Sequence, residues 1–154
     1  MPSEEFKKAY QVLSAKCSKK EITTNEALKF AVKFKLNLVE KNRLVYQLKK
    51  NKFIDHLRYA KAFVNDRFHF YKWGKLKIKY QLIQKGIEEH YIDLALEDID
   101  NNEYYNLIIQ EAKKKYASLD KQDEFKSKQK LCKYLNQKGF EGELVFKIVE
   151  RLES

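Results

Sequence analysis

Residues 67–87 read RFHFYKWGKLKIKYQLIQKGI. The centre of this stretch, KLKIKY (75–80), alternates polar and apolar with a period of two, as a half-buried strand does. The same residues also place Leu76, Tyr80, Ile83 and Ile87 on one helical stripe, and Ile78 with Leu82 on a second. A strand here and a helix here belong to different proteins.

Comparison of the chain with itself decides between them. LIQKGIEEHYIDLALEDI (82–99) aligns without a gap on LNQKGFEGELVFKIVERL (135–152), at an offset of 53 residues. Leu82 falls on Leu135, Gly86 on Gly139, Ile87 on Phe140, Ile92 on Val145 and Leu96 on Val149. Upstream, KLKIKY falls on KQKLCK (128–133), which has lost the alternation. Repeats share a fold, so the stretch is read as a helix gripped along both of its stripes. The repeated unit is a helical hairpin: one helix ends at a glycine free to turn left-handed, an apolar residue packs back, and a second helix opens with glutamate near its N-terminus.

Another amphipathic stretch precedes each hairpin, HLRYAKAFVNDRFHF (56–70) in one copy and EYYNLIIQEAKKKY (103–116) in the other. A weaker copy runs from EEFKKAYQVLSAKC (4–17), with Phe6, Ala9, Tyr10, Leu13 and Cys17 on one face. The expected architecture is all-α, three tandem three-helix modules at 1–53, 54–101 and 102–154. In the first, Lys41 stands where the repeat asks for an apolar anchor, so its third helix is expected to be shifted or shortened.

Composition agrees with helices. Four glycines and one proline in 154 residues leave little turn chemistry for a β-sandwich or barrel, and 35% charged residues suits solvated helix faces. No segment has the length and apolarity to span a bilayer, and no leader is evident at the N-terminus, so no membrane partner and a cytoplasmic location are expected. Cys17 and Cys132 stand far apart without a CxxC pattern, which predicts half-buried apolar thiols and no metal site.

The net charge of +10 asks for a negative partner. Residues 1–52 carry +8, 53–101 are neutral as a sum and 102–154 carry +2. The middle module is nevertheless polarised, because 67–87 holds six basic residues and no acid while 88–103 holds seven acids and no lysine or arginine. Such a stripe suits contact with a phosphate backbone, and unpaired bases could stack on its aromatics. The plainer reading is that basic and acidic helices neutralise each other within a module. Aromatics at helical spacing are usually core, so Phe68, Phe70 and Tyr80 are expected inside; Trp73, beside Gly74 at a helix junction, is read as a buried anchor and kept as a contact candidate.

Catalytic signals are absent. His56, His69 and His90 have no spacing that builds a base or a metal ligand set, and each is expected on a solvated helix face. Asp93, Glu97 and Asp100 share a helix face without a second acidic face opposite, and no Gly-rich phosphate loop is present. Neither an enzyme nor a cofactor is expected.

The segment IDHLRYAKAFVNDRFHFYKWGKLKIKYQLIQKGI (54–87) resembles the middle module of the RecX regulatory proteins. The family's pattern of Arg, aromatic, Ala, aromatic, Arg, then Gly, a basic residue, Ile, Leu and a Gly–apolar pair falls on Arg58, Tyr59, Ala60, Phe63, Arg67, Gly74, Lys77, Ile78, Leu82, Gly86 and Ile87. The resemblance implies an elongated, curved helical protein that lies in the groove of the RecA–DNA filament. It implies inhibition of recombinase ATP hydrolysis and strand exchange, through blocked filament growth or promoted disassembly, in DNA repair and the SOS response. From charge and placement, the expected contacts with DNA or recombinase are Arg67, Lys72, Trp73, Lys75, Lys77 and Lys79, extended by Lys33, Lys35, Lys49 and Lys50. Arg58, Gly74, Ile78, Leu82 and Gly86 are expected to serve the fold. A monomer is the simplest state, since no heptad seam is present.

The competing reading is a freestanding helix-turn-helix DNA-binding protein. Against it, no helix offers a cluster of Arg, Asn and Gln for base edges, and lysine predominates, which suits backbone contact.

Overall fold

The computed structural model describes residues 2–152. Among them are nine α-helices and no strand: α1 (Glu4–Lys19), α2 (Thr24–Ala31), α3 (Leu38–Lys50), α4 (His56–His69), α5 (Lys75–Gln84), α6 (Glu89–Leu96), α7 (Asn101–Ala117), α8 (Glu124–Gln137) and α9 (Gly142–Arg151). A 3-10 turn, Val32–Phe34, follows α2.

KLKIKY is the first part of α5, and only one of its two stripes is gripped. Ile78 and Leu82 are fully buried, whereas Leu76, Tyr80 and Ile83 are 54, 58 and 50% exposed. Leu76 lies two residues from Ile78, roughly 200° around the helix, and a module of three short helices covers one face of each. Phe70, at 76% exposed, is likewise outside, because α4 ends at His69; of the three aromatics expected in the core only Phe68 is there.

Helix ends reveal a device that the glycines only partly announce. After α5, Gly86 adopts φ +84°, and the Ile87 amide reaches back 3.1 Å to the Leu82 carbonyl. After α8, Gly139 adopts φ +95° and the Phe140 amide bonds the Leu135 carbonyl at 3.3 Å. These left-handed caps satisfy carbonyls that the helix leaves unpaired. Three more are made by lysine: Lys35 after the 3-10 turn (φ 53°), Lys52 after α3 (φ 62°) and Lys72 after α4 (φ 59°). The bonds that close the last two are Phe53 N–H to Leu48 O at 2.8 Å and Trp73 N–H to Arg67 O at 3.0 Å.

The chain divides into two compact units, one comprising the residues up to Ala62 with Leu82–Ile92, the other Phe63–Gln81 with the residues from Asp93 onward. In the first, α1, α2 and α3 pack pairwise around Phe6, Leu13, Ile22, Leu44, Leu48 and Ile54. Helix α3 is full length: Asn37 and Glu40 form a capping box, and its anchors are Leu44 and Leu48, about a turn beyond the half-buried Lys41. It is neither shortened nor shifted: it begins three residues after the left-handed Lys35, as α6 and α9 begin three residues after Gly86 and Gly139, and only the apolar anchor at position 41 is missing. Arg58 ties this unit together, bonding Glu21 at 2.7 Å and the carbonyls of Lys52 and Phe53 at 3.0 and 3.2 Å.

His56 departs from the solvated position expected for it, being only 7% exposed. Its Nε2 accepts from the Thr24 backbone amide at 3.2 Å, which fixes the proton on Nδ1, and Nδ1 donates to Glu88 at 2.6 Å. Burial pushes the Glu88 carboxyl up, but the His56 hydrogen bond and nearby positive charge outweigh it and hold it below the usual range. His56→Ala leaves the α2 amide and the Glu88 carboxylate without this partner, and is expected to lower stability by about 2 kcal/mol in urea unfolding. His69 and His90 are exposed as expected.

In the second unit α7, α8 and α9 pack pairwise, with Tyr104, Ile108, Leu131, Leu135, Phe140 and Val149 buried. The buried Tyr104 hydroxyl accepts from the Lys75 amide at 3.0 Å and donates to the Glu141 carboxylate. Burial, reinforced by Glu141, pushes this hydroxyl far above the ordinary tyrosine range, so it remains a donor.

Candidate nucleic-acid interface

The α4–α5 junction gathers part of the basic and aromatic stretch into one cluster. Phe63 and Arg67, four residues apart, share one face of α4, and Tyr71 follows four residues later in the turn just past the helix end. The Arg67 guanidinium carbon lies 4.4 Å from the Phe63 ring centre, 4.6 Å from Tyr71 and 5.4 Å from Trp73. Its Nη1 donates to Asp66, and its buried Nε has no hydrogen-bond partner among the described residues. Arg67 is therefore mostly covered, and what it does here is clamp the rings above it. Tyr71 stays 53% exposed and Phe70 lies outside next to it in sequence, so the junction presents an aromatic ledge.

Trp73 is half-buried, edge-on to Tyr71 at 5.7 Å and to Phe63 at 6.4 Å. Lys77 brings its ammonium 4.4 Å over the Trp73 ring. Lys138 donates to the Tyr71 carbonyl at 3.1 Å and pairs with Glu111 at 3.3 Å; it belongs to the ledge, and nothing in the middle module's sequence pointed to it. The left-handed backbone at Lys72 turns the chain between the two helices, with Nζ on the His69 carbonyl at 2.7 Å.

Not every candidate joins this cluster. Lys75 places its ammonium 4.7 Å over Tyr104, and Lys79 pairs with Asp93 at 3.3 Å, so the acidic helix α6 neutralises part of the stripe. Asp93 and Asp100 have structural partners, the latter capping α7 through the Glu103 amide at 2.9 Å. Lys33, Lys35, Lys49 and Lys50 are exposed and lie in the other unit. Lys33 lies within the 3-10 turn and Lys35 caps it, and Lys49 and Lys50 occupy the last turn of α3, where they complement its dipole. Among the described residues no cluster of His, Cys, Asp and Glu could hold a metal ion, and no helix is long and apolar enough to cross a membrane.

Trp73 is the sole tryptophan, so its emission reports the clamp. Arg67→Ala is expected to shift that emission to the red and to cost roughly 1 kcal/mol, the order of an accessible cation–π contact; an unchanged spectrum would show that Arg67 does not order the ledge.

Two family models match the chain: the second three-helix domain of RecX on residues 55–96 and the third on residues 102–149, together more than half of its length. The chain belongs to the RecX family. It is 34% identical over 116 residues to the regulatory protein RecX of Clostridium acetobutylicum, covering 73% of this chain and 53% of that one. It is 27% identical over 152 residues to the RecX of Chlorobium phaeobacteroides, covering 99% of this chain and 98% of that one. The chain thus spans about half the length of the clostridial RecX proteins that it matches. The crystal structure of RecX from Lactobacillus salivarius superposes with a TM-score of 0.88 at 19% identity over 97% of both chains, a likeness of fold.

Proposed function

We propose that this RecX-family chain is a regulator of homologous recombination and DNA repair that binds the RecA–DNA filament. It lowers recombinase ATP hydrolysis and strand exchange by blocking filament growth or promoting disassembly. The observation that carries this reading is the match of both RecX three-helix domain models, on a chain whose resemblance to the family runs through Arg58, Tyr59, Phe63, Arg67, Gly74, Lys77 and Gly86.

Backbone geometry supports the part of the reading that concerns charge. Lys35, Lys52 and Lys72 sit at positive φ, where a side chain costs about 1 kcal/mol relative to glycine. Gly86 and Gly139 fill equivalent caps without that cost. Lysine at three left-handed positions places a positive charge just past a helix or 3-10 turn each time, which favours a negatively charged partner there. The ledge of Phe70, Tyr71 and Trp73, with Lys77 over it, adds a surface on which an unpaired base of the filament's DNA strand stacks.

Fluorescence anisotropy of the labelled chain tests this against three partners: the RecA–single-stranded DNA filament, the DNA alone and RecA alone. The filament is expected to bind at least tenfold more tightly than either component. On DNA alone, log affinity is expected to fall with log salt by about 0.7 per phosphate contact. Equal affinity for bare DNA and filament would favour the freestanding DNA-binding reading, and a flat salt profile would remove the nucleic-acid contact.

A further inference from the structure

A groove of about 830 Å³ runs between α8 and α9, walled by Phe125, Cys132, Phe146 and Val149, with Lys128 and Lys133 at its lining. It shares no residue with the ledge. On α8 its lining positions 125, 129, 132 and 136 advance by four, three and four, so it follows roughly 16 Å of helix axis, about three turns. Phe125 and Phe146 are 69 and 64% exposed, although each is large enough to anchor a core.

The internal repeat shows what is unusual here. At the offset of 53 residues, Cys132 and Phe146 correspond to Lys79 and Asp93. In the second module those two close the seam with their 3.3 Å ion pair, and the concavity beside it is lined by Lys75, Asp93 and Glu97. In the third module the same seam is apolar and open. Its one lining carboxylate, Glu150, lies 3.9 Å from Lys128. Lys133 completes a basic rim, with Lys126 and Lys130 exposed on the same helix. The Cys132 thiol is pushed up by burial and by Glu150, so it remains protonated and serves as apolar wall.

We propose that the α8–α9 groove is a docking site for a protein segment of about three helical turns that presents bulky apolar side chains flanked by carboxylates. Apolar walls suit aliphatic or aromatic anchors, and the lysine rim selects acidic flanks. A polyphosphate chain would leave the phenyl walls unmatched. The inference stands on other helices than the recombinase reading and does not depend on it.

The test uses the full chain carrying Cys17→Ser, which leaves Cys132 as the one thiol. Random 12-residue peptides on phage are selected on it and counter-selected on the same chain with Phe125→Ser and Phe146→Ser, changes at exposed phenyls that are expected to leave the melting temperature unchanged, which is measured first. Enriched peptides are expected to be net negative with two bulky apolar residues three or four apart. As synthetic peptides they are expected to slow alkylation of Cys132 at least tenfold at saturation. The proposal is overturned if no clone distinguishes the two chains or if the enriched peptides are net positive. It is equally overturned if raising the concentration of the chain alone protects Cys132, which would assign the groove to a second copy.

Discussion

Gly74→Ala is expected to cost 3 kcal/mol or more and to broaden or abolish the cooperative unfolding of the unit built on α7, α8 and α9. The start of α5 and the end of α8 meet backbone to backbone: the Gly74 amide donates to the Lys138 carbonyl at 2.7 Å, and the Leu76 amide to the Gly139 carbonyl at 3.0 Å. A methyl group on Gly74 would stand 2.3 Å from the Gly139 carbonyl carbon and oxygen and 2.4 Å from the Phe140 nitrogen. No flexible side-chain end is there to yield, so one of the helices has to move. Gly139 is constrained twice, by φ +95° and by Lys77, whose Cβ would lie 2.3 Å from an added Cβ. A loss of this size is a substantial fraction of the 5–15 kcal/mol typical of a folded domain. Gly142→Ala is the control. Nothing lies within 4 Å of its added Cβ, and it opens α9, so it is expected to be neutral or stabilising by up to about 1 kcal/mol. Urea unfolding followed by circular dichroism separates the two; a Gly74→Ala chain as stable as the parent would refute the close approach.

Replacing Lys35, Lys52 and Lys72 together by glycine is expected to move two readouts in opposite directions. Each lysine occupies a left-handed cap, so replacement is expected to stabilise by about 1 kcal/mol at Lys35 and Lys52, less a few tenths for the greater freedom of glycine in the unfolded chain, and by less at Lys72, which also loses its ammonium bond to the His69 carbonyl. If the three ammonium groups meet phosphates, the same variant weakens binding to single-stranded DNA and lowers the salt slope by about 2, three contacts at about 0.7 each. Greater stability with weaker binding is the mark of strain kept for function. Greater stability with unchanged binding would mean that these lysines are strained without bearing on DNA.

The helices were legible because their period survives in both copies of the repeat, and a helix explains KQKLCK as well as KLKIKY. Burial within them was less so. Periodicity gave α5 two stripes, and only packing could choose Ile78 and Leu82 over Leu76, Tyr80 and Ile83. His56 looked like any polar residue near a helix start. Its partners, Thr24 and Glu88, each lie 32 residues away along the chain, beyond the reach of local pattern. The lysine caps were invisible for a different reason, since left-handed turns are read from glycine or asparagine and these positions carry neither. Of the candidate interface, the spacing of Phe63, Arg67 and Tyr71 could have announced the clamp. Lys138 could not be found that way, because it comes from another module.

The decisive measurement is ATP hydrolysis by the RecA recombinase of the same organism on single-stranded DNA, with this chain titrated in below stoichiometry. A Lys75→Glu, Lys77→Glu, Lys79→Glu variant runs beside it. Strong inhibition by the parent chain is expected, with at least a tenfold higher concentration of the variant needed for the same inhibition. An unchanged rate at stoichiometric amounts of a folded, helical parent chain would contradict regulation of the recombinase by this chain.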